Sequence, residues 1–120
     1  MSQGPALPIR EIRDEEGVVL ISLAGHLCGE GATKVLLDAV HDLEARGSSR
    51  FVLDLERLER IDSAGLGAIA SAYVSVTRSS GRLVLASAPP KVRELLSSTM
   101  LLQVIPLYPD PDAARRAQQS

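Results

Sequence analysis

Ser63 stands in the run Asp62-Ser63-Ala64-Gly65-Leu66-Gly67, and its position suits it to chemistry. A hydroxyl at the start of a helix lies where backbone N–H groups are free, and two roles fit it. One is the N-cap, accepting from a first-turn amide, which Asp62 can fill equally well. The other is to carry a phosphate, because an exposed helix N-terminus favours an anion by roughly 0.3 to 1 kcal/mol. Phosphorylation adds about −1.5 to −2 charge, here directly beside Asp62. Gly65 and Gly67 each lower helix propensity by roughly 1 kcal/mol relative to Ala, which points to a crowded or contacted surface.

Other reactive residues form no recognisable constellation. His26 and Cys28, two apart at a strand end, share one side of a strand and offer two metal ligands, whereas zinc sites show at least three; no metal is expected. A nucleophile elbow requires Gly two residues before its Ser, and that place is taken by Ile61. Neither His26 nor His41 has an evident orienting partner, so acyl transfer is not expected and the chain reads as non-enzymatic. Gly65-Leu66-Gly67 lacks both the Lys-Ser/Thr of a phosphate loop and the third glycine of a dinucleotide site. No cofactor is expected.

Composition narrows the class further. A chain of 120 residues, 45% of them apolar, is sized for one core and one domain. The formal charge of −2 and the presence of only Phe51, Tyr73 and Tyr108 as aromatics argue against direct nucleic-acid binding. No apolar stretch is long enough for membrane insertion, the start has no secretory pattern, and one cysteine forms no internal disulfide. A cytoplasmic location is expected.

The elements that must position Ser63 follow from periodicity. Residues 1–7 read as a flexible terminus and 8–117 as the domain. Ile9 to Arg13 is an edge strand, turned at Glu15-Glu16-Gly17 into the strand Val18 to Leu23, which Gly25 ends. Apolar residues at 32, 35, 36, 39, 40 and 43 mark a helix stopped by Gly47. Phe51 to Leu55 is the next strand, and the charged run Glu56 to Arg60 is a loop leading to Ser63. Leu66, Ile69, Ala70, Tyr73, Val74 and Thr77 then line the inner face of a second helix. Leu83 to Ala86 is a strand, and Pro89-Pro90 opens a helix whose inner face carries Val92, Leu95 and Leu96. Val104 to Leu107 is an edge strand because of Pro106, followed by a short helix around Ala113 to Ala117. The expected fold is α/β, a mixed, mostly parallel sheet of four to five strands with four helices packed mainly on one face.

This order of elements, with Leu53-Asp54-Leu55, Ile61-Asp62-Ser63-Ala64-Gly65-Leu66-Gly67 and the later helix from Pro90, resembles the STAS domain, specifically the stand-alone anti-sigma factor antagonists of bacteria. The resemblance implies phosphorylation of Ser63 by a GHKL-type serine kinase that is itself the anti-sigma factor. The unphosphorylated form then binds that factor and releases the sigma factor, the phosphorylated form lets go, and a PP2C-type phosphatase resets the switch. Partner contacts are expected from Asp62, Ala64, Gly65, Leu66, Gly67, His26, Cys28 and Arg60. Family members often carry Gly-Glu-Leu-Asp where this chain has Gly25-His26-Leu27-Cys28, which implies a partner with a differently charged docking face. The alternative that this loss motivates is a STAS subunit of an ABC-type transporter or signalling scaffold that is not phosphorylated. A weak homodimer is left open.

Overall fold

The computed structural model describes residues 8–119; the terminal segment 1–7 lies outside the described residues. Strand β1 (Ile9–Glu15) pairs antiparallel with β2 (Val18–Leu27) across a two-residue turn. Glu16 and Gly17 both hold positive φ there, at 58° and 86°, the geometry that matches the twist of a tight hairpin. Helix α1 (Gly29–Ala45) leads to β3 (Arg50–Ile61), α2 (Ser63–Arg78) to β4 (Arg82–Ala86), and α3 (Pro90–Ser98) to the short β5 (Leu107–Tyr108). Helix α4 (Pro111–Gln118) follows.

The sheet order is β1-β2-β3-β4-β5, parallel from β2 onward. Strands added always in one direction, through crossovers of one preferred hand, place successive helices on the same face. α1, α2 and α3 accordingly share one core with the sheet, built on Ile21, Leu23, Phe51, Leu53, Ile69 and Leu85. Truncating a fully buried side chain such as Phe51 to Ala costs about 3–5 kcal/mol. On the opposite face Ala114 of α4 closes a smaller cluster with Val18, Leu20, Val52, Val84 and Ala86. β2, β3 and β4 are covered on both faces, which explains their unbroken apolar runs.

Five expectations from the sequence need correction. Glu56 to Arg60 is not a loop but the distal half of β3, and β2 continues past Gly25 to Leu27. Register shifts in the β2–β3 pairing insert extra residues into β3, so its inward positions Leu55, Leu58 and Ile61 fall three apart instead of two. The buried face of α2 is Ala68, Ile69, Ala72 and Val76; Val74 and Thr77 face outward, because alanines let the helix approach the sheet more closely. Leu95 is 40% exposed, and the last strand begins only at Leu107, with Val104 exposed and Ile105 buried ahead of it.

Candidate functional site

The chain enters α2 at the carboxyl end of β3, and Asp62 is the N-cap residue. Its backbone is extended (φ −115°, ψ −173°), and its Oδ1 accepts from the N–H of Gly65 at 2.9 Å. Its other oxygen is also engaged: Oδ2 accepts from the N–H of Gly29 at 3.0 Å. That donor opens α1, whose own N-cap residue, Cys28, supplies no side-chain hydrogen bond. One carboxylate therefore satisfies orphan amides at the starts of two helices. The amide of Gly65 foremost, and then that of Gly29, hold the Asp62 carboxyl below its ordinary pKa, against partial desolvation that pushes it up.

The two helix starts are drawn together elsewhere as well. The Thr33 hydroxyl donates to the carbonyls of Gly29, at 2.8 Å, and Ala64, at 3.3 Å. Gly65 is buried against the end of β2, where a Cβ would run into the Leu27 carbonyl oxygen and lie 2.8 Å from Cγ1 of Ile61. Glycine is required here by close approach.

With Asp62 acting as cap, Ser63 is left as the first residue of α2. It is exposed, and its hydroxyl has no hydrogen-bond partner among the described residues. The ambiguity between the two capping residues is thus resolved in favour of Asp62. Ala64 is half-buried, Leu66 packs partly against the core, and Gly67 is exposed with open space where a Cβ would project. Gly67 lines a shallow cleft between α1 and α2 with Thr33, Leu37, His41 and Ser71.

His26, Cys28 and Arg60 lie around the same strand ends. His26 is paired in register with Arg60, and its Nε2 is 3.9 Å from Oε1 of Glu59. Cys28 does not share a strand face with His26, because β2 stops at Leu27 and the chain turns there into α1; its thiol is free and half-buried. Among the described residues no group of three or more His, Cys, Asp or Glu could hold a metal ion. No described helix is long and apolar enough to cross a membrane. Three contributors to this end of the molecule carry no signal in the sequence. Thr33 and Gly29 became relevant only through the 33-residue separation of Gly29 from Asp62, which no local pattern encodes. Lys91 of α3 reaches the β3 end only because the sheet order brings α3 there.

A five-stranded mixed sheet with a serine at the β3–α2 junction defines the class. The chain belongs to the STAS domain family, whose family model matches residues 10–114. It is 28% identical over 98 residues to an anti-sigma F factor antagonist of Paenibacillus polymyxa, covering 82% of this chain and 84% of that one. The crystal structure of an anti-sigma factor antagonist from Mycobacterium paratuberculosis matches at a TM-score of 0.85 and 25% identity, covering 100% of each chain. SpoIIAA in its unphosphorylated form shares the fold at a TM-score of 0.70 and 21% identity, over 92% of this chain and 98% of that one. The phosphorylated form of the Bacillus protein matches at 0.69 and 19%, over 89% and 97%.

Proposed function

We propose that this chain is an anti-sigma factor antagonist switched by phosphorylation of Ser63. The observation that carries the reading is the division of labour at the start of α2: Asp62 caps the helix, and the neighbouring hydroxyl stands exposed without a structural task. The names of its relatives in Paenibacillus polymyxa and Mycobacterium paratuberculosis support the same function, and SpoIIAA, which shares the fold, exists in both phosphorylation states.

In this reading the unphosphorylated chain binds an anti-sigma factor of the GHKL-type serine kinase class and frees the sigma factor. Asp62, Ala64, Leu66, Gly67, His26, Cys28 and Arg60 form or border the docking surface, and Gly65 holds α2 at the height that presents them. Transfer of the γ-phosphoryl group of ATP to the Ser63 oxygen, with loss of the hydroxyl proton, places a second anion beside the ionised Asp62. First-turn amides of α2 tolerate that charge, whereas a partner surface fitted to the neutral hydroxyl is repelled and desolvated poorly. A PP2C-type phosphatase hydrolyses the ester and restores binding. The test is complex formation with an anti-sigma factor of the GHKL-type serine kinase class from the same organism. Purified wild-type chain should bind it without ATP and dissociate after incubation with ATP, while Ser63→Ala should remain bound in both conditions. Dissociation of Ser63→Ala on addition of ATP would remove the serine from the mechanism.

A further inference from the structure

β4 ends at Ala86, opposite Asp54, so residues 55–61 of β3 have no strand beside them on that side among the described residues. A cleft of about 520 Å³ opens between this free end of β3 and α3. Its lining combines two chemistries. His26, Glu59, Arg60 and Lys91 supply polar and charged groups, while Leu95, 40% exposed, supplies apolar surface over the nearly buried Ile61 and Val92. The single carboxylate in that lining, Glu59, lies against His26 at 3.9 Å. Arg60 and Lys91 are exposed, and among the described residues neither has an ion-pair partner. Asp62, just beyond Ile61, has both carboxylate oxygens engaged by the amides of Gly65 and Gly29. The cleft thus presents two uncompensated cations over an apolar floor, on a molecule whose formal charge is −2.

We propose that this cleft receives an acidic segment of the protein partner, its carboxylates pairing with Arg60 and Lys91 and an aliphatic side chain packing on Leu95. A free small anion would use the cations but not the floor. A basic or neutral segment would leave both cations uncompensated, at a loss of complementarity that governs association rate and choice of partner. The inference rests on the reading of the chain as a partner-binding switch, and it specifies the charge of the surface that docks.

Titration of the ¹⁵N-labelled full chain, followed by amide chemical shifts, tests it with four probes: a short peptide alternating Asp and Leu, its Asn–Leu and Lys–Leu counterparts, and inorganic phosphate. The Asp–Leu peptide should give saturable shifts at His26, Arg60, Lys91 and Leu95, and should bind roughly tenfold more weakly to Arg60→Glu/Lys91→Glu, a variant of exposed residues. Leu95→Ser should weaken it too, and the Lys–Leu peptide should bind the charge-reversed variant better than wild type. Shifts scattered over the surface, equal binding by the reversed variant, or the same pattern from phosphate alone would overturn the proposal. Ser63→Ala should bind the peptide as wild type does, so a failure of the phosphorylation switch and a failure of this cleft give separate results.

Discussion

The carboxylate of Asp62 and the amide of Gly29, 33 residues apart in sequence, meet at 3.0 Å and join the starts of α1 and α2. The other oxygen of the same carboxylate caps α2 through Gly65. Whatever changes charge at Ser63 therefore acts beside a group that holds two helices in register with the strand ends.

Asp62→Asn should separate these two bonds. The amide side chain keeps one acceptor oxygen, so either Gly65 or Gly29 loses its partner, and the charge that favours the helix starts is gone. The pH dependence changes as well. Asp62 titrates below its ordinary value of 3.8, so the stability it contributes is present above that value and is lost as pH falls toward its folded-state pKa. Exposure to solvent keeps the effect small. Thermal melts between pH 7 and pH 3 should show a lower Tm for the variant at neutral pH and a gap to wild type that narrows at the acid end.

Gly65→Ala and Gly67→Ala should have opposite signs. At Gly65 a methyl group meets the Leu27 carbonyl, and overpacking of that kind costs about 1–3 kcal/mol. At Gly67 nothing lies within 4 Å of the added carbon, and removing a helical glycine should stabilise by about 0.4–1 kcal/mol. Urea unfolding at constant m-value checks both. Because Gly67 is exposed beside the proposed docking surface, its alanine variant should weaken partner binding despite the gain in stability.

α4 is held by a side chain at its far end. Gln118 is buried, and its Nε2 donates to the carbonyls of Phe51, at 2.8 Å, and Arg82, at 3.0 Å, at the starts of β3 and β4. Gln118→Ala should destabilise by about 1–3 kcal/mol, since buried acceptors lose their donor. Amide exchange should rise in α4 before it rises in α2.

Much of this architecture was legible because β2, β3 and β4 are apolar on both faces and α1 keeps a regular stripe through Leu36 and Val40. The distal half of β3 was not, since its bulges turn a period of two into Leu55, Leu58 and Ile61, with charged pairs between them that look like loop. In α2 size runs against burial: the larger Val74 and Thr77 lie outside while small Ala68 and Ala72 lie within. At the site, the motif placed Ser63 and Asp62 together but could not decide which one capped the helix. The bond from the Gly65 amide settles it for Asp62, while the second bond of that carboxylate, to Gly29, is made by the fold and is invisible to local spacing.

Phosphosite mapping after incubation of the chain with ATP and a GHKL-type serine kinase of the anti-sigma factor class, from the same organism, is the most direct test of the switch at Ser63. One phosphate per chain is expected, on Ser63, and none on Ser63→Ala. An active kinase that leaves Ser63 unmodified, or places the phosphate on another residue, would contradict it.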